Sequence, residues 1–517
     1  MSSAKEPVTR RFGNGLTVLI KEDKSHPVVS LQYWVGTGSM NEGHWQGSGL
    51  SHLLEHLVFK GTAHFSGQEL ARKVQERGGH WNAYTSVNRT VYYIDGPAES
   101  WQIFLNLLTE LVFFPTFPED EMEREKEVVR REMAMYADDP DSVAYQLLMQ
   151  TLYLKHPRRW PVLGERAAFD CLTRQDVLDY HASRYVPNNV VLSIAGDVDA
   201  AEILSHLELL VEDLKSRPLN REPIPHEPHQ FGSRRVRKEF AVPYSKLHLA
   251  WRLPCSAHPD TPALSALSSI LGGGRSARFY EKFHDRLGLV YSIEVHSNQS
   301  ETDEGAFTIS MDVDRAQRDK VRDLVLQELR NLAEEDFTED LKRVCKQTRV
   351  SRLRRRSSAS GVASEMGADW FGSRNLNLSS EWQEAIERVT TEDLHRVCST
   401  WLSSPNVTEV SLDPPGSNAG DEERASASAG TALSEHVLGN GMKVVIREDH
   451  RLPLAYACMA FKAGCRAENE HDAGVTDLMS ECLLKGTSTR SAADIARFLE
   501  DIGGAINTST GNNSLSV

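Results

Sequence analysis

Two histidines and a glutamate lie close together between Gly49 and His56, in the order H-x-x-E-H. Residues four apart on a helix share one face, so His52 and His56 can offer ring nitrogens to one metal ion. Glu55 lies beside them, where a carboxylate can take a proton from water. The spacing indicates metal-assisted hydrolysis, although so short a motif needs support from elsewhere in the chain.

A second segment, residues 119–133, has an uninterrupted helical pattern with two carboxylates on its apolar stripe. The stripe is predicted to face inward and comprises Met122, Glu125, Val129, Glu132 and Tyr136. Zinc held by two imidazoles lacks a third protein ligand, and Glu132 is our candidate for it, with Glu125 as a supporting partner. The alternative is an ordinary acidic surface helix, because charged residues on helices are mostly solvated.

Together these segments resemble the pitrilysin and insulysin type of inverted zinc metallopeptidases, a family that also contains the mitochondrial processing peptidases. Glu132 follows His56 by 76 residues, and Glu125 precedes Glu132 by 7, as the third ligand and its accompanying glutamate do in that family. Residues 78–85 resemble the family's G-G-x-x-N-A-x-T strand, and further motifs extend the resemblance to Asp197.

The resemblance implies a zinc-dependent endopeptidase that cleaves peptides or small unfolded polypeptides. One Zn²⁺ per chain would be bound by His52, His56 and Glu132. Glu55 would be the general base, and Glu125 is placed with it in the catalytic set, where it orients a histidine or balances charge. A non-catalytic scaffold or partner subunit of a peptidase complex is the alternative function.

Substrate binding is predicted at Asn82 and Ala83, where the family likeness implies that an extended peptide adds to a sheet edge. The alternative is that the preceding glycines only turn the chain and that Asn82 satisfies local backbone groups.

Internal repeats divide the chain. A shift of 425 superposes residues 60–62 on 485–487 and Asn82 on Asn507. Because His52 falls on Asp477 in this register, the C-terminal copy cannot hold zinc in the same way. A fainter relation links residues 1–215 with 230–412. In that register Glu125 aligns with Cys345 and Glu132 aligns with Arg352. The copy at 230–412 is therefore predicted to have the same fold without the metal ligands.

Strand and helix patterns alternate within each copy, which predicts an α+β fold of repeated domains, each with a mostly antiparallel sheet covered by helices. The predicted units are a catalytic domain at 1–220, a second homologous domain at 221–412, an exposed linker at 413–432, and a truncated third copy at 433–517. Because the third copy stops soon after the strand that matches Asn82, we expect a homo-oligomer or a partner chain to supply the missing half.

Composition narrows the partners. A net charge of −15 argues against a general nucleic-acid binder, and no apolar run is long enough to span a membrane. The seven cysteines lack paired spacing, which favours reduced thiols, and a cytoplasmic location is expected, or a periplasmic one if a leader was removed. A glycine run at 272–274 does not fit a phosphate loop, and the basic run at 342–356 is interpreted as a solvated helix face.

Overall fold

The computed structural model separates the chain into two compact units, Met1–Ala427 and Ser428–Val517. The residues that the structure describes are 6–219, 223–299, 304–403, 405–415, 434–446, 457–464, 466, 468–469, 471–492, 494–495, 498, 506–511 and 514–517. The predicted linker therefore lies outside the described residues except for 413–415, and so does Cys465.

Among the described residues, the first sheet of the larger unit has six strands in the order β1-β2-β6-β3-β5-β4. Their bounds are β1 Val8–Arg11, β2 Thr17–Glu22, β3 Val28–Val35, β4 His80–Thr85, β5 Thr90–Pro97 and β6 Val190–Gly196. Only the β2 and β6 pair is parallel. Strand β4 is at one edge of the sheet, next to β5 alone.

Eight helices accompany this sheet in the described part of the chain. They are α1 Leu50–Val58, α2 Gly67–Gln75, α3 Trp101–Phe113, α4 Glu119–Asp138, α5 Pro140–Leu152, α6 Arg166–Asp170, α7 Arg174–Arg184 and α8 Ala200–Leu210. Short 3₁₀ turns lie at Ser39–Asn41, Gly43–Trp45, Ala98–Ser100, Pro157–Arg159 and Pro187–Asn189. Leucines of α1 and aromatic residues of α3 join the sheet in one buried core, which fixes α1 against the strands.

In the part of the chain that the structure describes, the second sheet has five strands in the order β7-β11-β8-β10-β9. Their bounds are β7 Arg234–Glu239, β8 Ser245–Leu253, β9 Val290–Asn298, β10 Gly305–Val313 and β11 Thr408–Asp413. The helices are α9 Thr261–Gly272, α10 Arg318–Asn331, α11 Thr338–Arg355, α12 Ala359–Ser373, α13 Leu378–Glu387 and α14 Thr391–Val397, with 3₁₀ turns at Arg315–Gln317 and Leu332–Glu334 and π turns at Tyr280–Arg286 and Cys398–Leu402.

The two sheets share one connectivity. The order β7-β11-β8-β10-β9 repeats β2-β6-β3-β5-β4, with one parallel pair at the same place in each. Helix α11 follows the second sheet's outer hairpin as α4 follows that of the first. The predicted fold class, repeated α+β domains with mostly antiparallel sheets, is thereby confirmed.

Each sheet is covered on its second face by a helix that belongs to the other sheet's half of the sequence. Helix α12 places Ala363 and Met366 against Trp34 of β3, and Ser193 of β6 donates its hydroxyl hydrogen to the Ala363 carbonyl at 2.7 Å. In return, α5 places Leu148 and neighbouring apolar residues against β8, β10 and β11. The two sheets are therefore joined by an exchange of helices.

The smaller unit contains helix α15 Val475–Leu483 and the strands β12 Ser434–Val437, β13 Lys443–Ile446, β14 Ala460–Lys462, β15 Ser509–Thr510 and β16 Ser514–Ser516. Helix α15 lies at the positions that the shift of 425 assigns to α1, and both helices follow a glycine with positive φ. The apolar residues of α15 differ from those of α1 in exposure: Leu478 is 64% exposed, whereas its counterpart Leu53 is fully buried.

The remaining sequence features take ordinary structural places. The glycine run ends α9, and a Cβ on Gly272 would approach the Val295 amide nitrogen at 2.4 Å, so these glycines allow close helix-to-strand packing. Several cations of the basic run pair with acids, among them Arg349 with Glu387. The six cysteines that the structure describes carry free thiols. None of the described helices combines the length and the apolar character needed to cross a bilayer.

Candidate metal centre

Contacts at its first turn fix the position of helix α1. Gly49 precedes it with φ of 74°, and a Cβ there would lie 2.0 Å from the Leu163 carbonyl oxygen, so only glycine fits. The amide of Ser51 donates to the buried carboxylate of Glu42 at 2.8 Å, which caps a helix start that has no capping side chain of its own. Burial raises the pKa of Glu42 to about 8, against the opposing hydrogen bonds from Ser51.

The leucines of α1 face the core, which turns the polar residues of the helix toward α4 and β4. His52 Nε2 lies 3.8 Å from Glu132 Oε2, and His56 Nε2 lies 3.9 Å from the same oxygen. The two imidazole centroids are 4.7 Å apart. These separations are too long for hydrogen bonds, but donors that each lie about 2.1 Å from one ion are up to about 4 Å apart.

These three side chains are the one group in the described part of the chain that could hold a metal ion by donor type and proximity. Their ligand atoms all lie within 4.8 Å of one another, and each residue is partly buried. Two imidazole nitrogens and one carboxylate oxygen make the donor set that a catalytic zinc uses, with room for a further ligand. The residues present therefore fit zinc.

Glu125 and Lys60 support His56 from behind. His56 Nδ1 lies 3.1 Å from Glu125 Oε2, and Lys60 Nζ donates to Glu125 Oε1 at 2.7 Å. When Nδ1 donates to this carboxylate, the lone pair of Nε2 is left free on the side of Glu132. Burial opposes ionisation of Glu125, but the hydrogen bonds from His56 and Lys60 outweigh it and lower its pKa.

The two imidazoles differ in their affinity for protons. Burial, with a smaller contribution from the neighbouring His56, lowers the pKa of His52 to about 4, so this ring is neutral at physiological pH. For His56, burial also acts to lower the pKa, but the hydrogen bond to Glu125 and the nearby carboxylates outweigh burial and raise it. Nδ1 of His52 is buried without a hydrogen-bond partner among the described residues.

Glu55 is held on its other side by strand β4. Thr85, the last residue of the strand, donates its hydroxyl hydrogen to Glu55 Oε2 at 2.5 Å. Burial raises the pKa of Glu55, and the Thr85 hydrogen bond partly offsets this. The carboxylate is therefore anchored between the helix and the strand.

Asn82 and Ala83 lie on β4, three and two residues before Thr85. Asn82 is exposed, and its Oδ1 accepts a hydrogen bond from the Ala83 amide at 2.8 Å. This is the local contact that the alternative interpretation of Asn82 anticipates. Because β4 is an edge strand, its outer backbone groups are also accessible to an added chain.

The inward stripe predicted for α4 is correct over its first part. Met122, Glu125 and Val129 are buried, and Glu132 is partly buried at the cluster. The prediction that Tyr136 faces inward was wrong, because the last turn of α4 has both Met135 and Tyr136 exposed and lacks the cover that the earlier turns receive.

Sequence reasoning assigned no role to Glu42, Lys60 or Thr85. Thr85 is part of the recognised strand motif, and Lys60 belongs to the repeated stretch 60–62, so both had a sequence signal without an indicated contact. In the second sheet's half, Cys345 and Arg352 occupy the positions of the two α4 glutamates, and Arg352 pairs with Glu365 at 3.0 Å instead of facing a metal cluster.

Comparison with protein families places the chain among peptidases. The family profile described as "Insulinase (Peptidase family M16)" matches residues 17–166 and again 443–516, and "Peptidase M16 inactive domain" matches 172–347. The cluster lies within the first of these matches.

Individual relatives agree with this. The chain is 27% identical over 406 residues to an uncharacterized zinc protease of Rickettsia felis, which covers 76% of this chain and 94% of the relative. It is 30% identical over 299 residues to an uncharacterized zinc protease of Mycobacterium bovis. That match covers 56% of this chain and 67% of the relative. The crystal structure of a protease from Helicobacter pylori superposes with a TM-score of 0.72 at 26% identity, over 79% of this chain and all of that one.

Proposed function

This chain belongs to the insulinase family of M16 peptidases, and from that premise we propose that it is a zinc-dependent endopeptidase that cleaves peptides or small unfolded polypeptides. The observation that carries the proposal is the convergence of His52, His56 and Glu132, with Glu55 beside them. Three protein donors with one position left for water, and a carboxylate beside them, are typical of catalytic zinc sites, whereas structural sites have four protein ligands.

In the proposed mechanism, His52, His56 and Glu132 would hold one zinc ion. Zinc, when bound, supplies a Lewis acid that lowers the pKa of a water molecule and polarises the scissile carbonyl. Glu55 takes the proton of the attacking water and passes it to the leaving amine. Its raised pKa suits a group that must first accept a proton and then release it.

Glu125 acts one step away from the reacting atoms. It accepts from His56 Nδ1 and so keeps that ring in the tautomer whose Nε2 can bind a metal. Lys60 balances the charge of Glu125, which allows the carboxylate to stay ionised although it is buried.

Substrate selection is proposed to rest on the open edge of β4. An extended peptide that pairs with this strand gains main-chain hydrogen bonds, which depend little on its side chains. The Asn82 side chain, which accepts from the Ala83 amide in this structure, would turn away to let the peptide take its place.

A digestion experiment tests the proposal. The purified chain is expected to carry about one zinc ion and to cleave an unstructured peptide, and a chelator should stop cleavage. Glu55→Gln should keep the zinc and lose at least about 100-fold in kcat. Glu76→Gln, which changes an exposed glutamate at the end of α2, is the matched control.

The non-catalytic alternative predicts a different result. A scaffold or partner subunit would give no cleavage that depends on Glu55, whether or not zinc is bound. Zinc-loaded wild-type protein that leaves the peptide intact, or equal cleavage by the wild type and Glu55→Gln, would therefore reject the endopeptidase proposal.

A further inference from the structure

Strand β4 contacts helix α1 at Glu55, in the second half of the helix, and also contacts Phe59, the residue that follows the helix. Trp81 packs edge-on against Phe59, which follows the last residue of α1, with ring centroids 4.9 Å apart. Thr85 donates to Glu55 Oε2 at 2.5 Å. Side chains on a strand alternate, so residues 81, 83 and 85 share the face toward α1.

The Thr85 hydrogen bond is short and well placed to fix the carboxylate. O–H donors to an ionised oxygen lie at about 2.5–2.7 Å and bind about twice as strongly as neutral pairs. Thr is also restricted about its first side-chain torsion, so the direction of the hydroxyl is set by the strand backbone. Among the described residues, Thr85 is the one whose side chain donates a hydrogen bond to the Glu55 carboxylate, so this contact restricts the rotation of the carboxylate.

We infer that Thr85 is a positioning residue for the reaction: its hydroxyl holds one oxygen of the Glu55 carboxylate, so that the strand that pairs with the peptide also sets the orientation of the base. This inference rests on the proposed function, because it assigns Thr85 a role toward Glu55 as general base. Docking of a peptide on β4 and alignment of the base are then parts of one event, since a single strand takes part in both.

A purely structural reading of Thr85 also has an observation behind it. In the smaller unit, Thr510 is the counterpart of Thr85, and it donates its hydroxyl hydrogen to Asp477 of α15 at 2.8 Å. The strand-to-helix contact therefore recurs where Glu55 is replaced by Ser480. In the larger unit the acceptor is Glu55, the proposed general base, and not the residue aligned with Asp477. An experiment must therefore distinguish a role in positioning Glu55 from a role in packing the strand against the helix.

Two substitutions at Thr85 make the separation. Thr85→Val keeps the shape of the side chain and removes the hydroxyl, and Thr85→Ser keeps the hydroxyl and removes a methyl. Thr85→Val is expected to keep its zinc and its KM and to lose about 10- to 100-fold in kcat, the effect of one hydrogen bond to a charged group. Thr85→Ser should retain kcat within about twofold of the wild type.

A matched control is available at the opposite edge of the same sheet. Thr9 is an exposed residue of the edge strand β1, far along the sheet order from β4. Thr9→Val makes the same chemical change on an edge strand without touching Glu55, and its kcat should equal that of the wild type.

A second measurement does not use catalysis. In zinc-free protein, Thr85→Val should lower the denaturant midpoint of the wild type but leave the midpoint of Glu55→Ala unchanged, because the acceptor is already gone. Equal shifts in both backgrounds would mean that the threonine contributes packing and not a bond to Glu55.

The outcomes also distinguish the two proposals. If wild type cleaves peptide, Glu55→Gln does not, and Thr85→Val has wild-type kcat, the positioning role is wrong while the peptidase function stands. If Thr85→Ser loses as much kcat as Thr85→Val, the methyl and not the hydroxyl matters, and the inference also fails. If zinc-loaded wild type leaves the peptide intact, the proposed function and this inference fall together.

Discussion

Three glutamates near the cluster differ in what they touch. Glu132 shares its Oε2 between the two imidazole Nε2 atoms, Glu125 contacts the back of His56, and Glu55 is bound by Thr85. Three side chains of the same type are thus proposed to serve as metal ligand, as support for a ligand and as general base, because the neighbours of each carboxylate differ.

Zinc content should separate the ligand from its support. Glu132→Gln is expected to lose the metal during dialysis, because an amide is a poor substitute for a carboxylate ligand. Glu125→Gln should retain zinc with about 10- to 100-fold weaker affinity, as is usual when a contact behind a ligand is changed. Glu127→Gln, at an exposed position on α4, is the control for both. Full zinc occupancy in Glu132→Gln would identify another donor.

Acid should weaken zinc binding in two stages. The pKa of His56 is raised above its ordinary value of 6.5, so zinc must displace a proton from this ring once the pH falls through that raised pKa. Affinity should then fall by about tenfold per pH unit. His52, with a pKa of about 4, adds a second proton only near that pH. Competition titrations across this range measure the slope, and an affinity that does not change between neutral pH and pH 4 would contradict the prediction.

At this scale the sequence indicated which residues form the candidate metal cluster but not every contact they make. His52, His56 and Glu132 follow from helical spacing and a recognised separation. The bond between Thr85 and Glu55 joins residues 30 positions apart, and it depends on how β4 packs over α1, which no local pattern encodes.

At the scale of elements, the start of α1 depends on the carboxyl group of a residue outside the helix. Glu42 accepts from the Ser51 amide, and in the smaller unit Glu468 accepts from the amides of Gly474 and Thr476 at the start of α15. The cap is present in a copy without metal ligands, so its role is to hold the helix. The acid precedes the helix by a different number of residues in the two copies, which hid it from the repeat comparison.

The Glu42 cap should make stability depend on pH. The folded pKa of Glu42 is raised to about 8 from an ordinary 4.5, so the folded state keeps a proton that the unfolded chain releases between these values. The free energy of unfolding should therefore fall as the pH rises through this window, by at most about 1.4 kcal/mol per pH unit from this group. Denaturant unfolding of wild type and Glu42→Gln measures it.

The variant is expected to have the flatter profile, because an amide does not titrate. Identical slopes for the two proteins from pH 5 to pH 8 would show that Glu42 does not carry this proton. Glu69→Gln would be a poor control because Glu69 also caps a helix, so the exposed Glu123 on α4 is preferable.

Element types were predictable from periodicity, whereas their ends were not. The apolar segment at 190–194 forms strand β6, as predicted, and the α4 stripe is buried at Met122, Glu125 and Val129 and partly buried at Glu132. Tyr136 lies outside that face because burial there depends on which element covers the turn, and the pattern of one helix does not report its neighbours. The domain limits at residues 220 and 412 stay predictions.

At the scale of the whole molecule, the smaller unit exposes an apolar helix face. Val475, Leu478 and Met479 of α15 are 49%, 64% and 46% exposed, whereas their counterparts on α1 are fully buried. Faces of this kind usually bind another protein surface. If the homo-oligomer expected from the sequence forms, a second copy of the chain should cover this face.

Sedimentation velocity tests that proposal. The wild type is expected to self-associate as its concentration rises, and Leu478→Asp should shift it toward monomer because a charge on the face opposes burial. Leu209→Asp is the control, since Leu209 is an exposed leucine of α8 in the larger unit. Zinc content should stay the same in both variants. A wild type that remains monomeric at tens of micromolar would contradict self-association through this face.

The exchange of α5 and α12 between the two sheets makes their stabilities inseparable. Withdrawing α12 would expose Trp34, and withdrawing α5 would expose Ala250, so neither half can melt while the other keeps its buried surface. Calorimetry should show one cooperative transition for both sheets, and a chain nicked near residue 220 should remain associated as two fragments. Two separate melting steps would disprove the coupling between the two sheets. Because of this cooperativity, a destabilising substitution in the half without the candidate metal ligands would also lower the stability of the half that contains them.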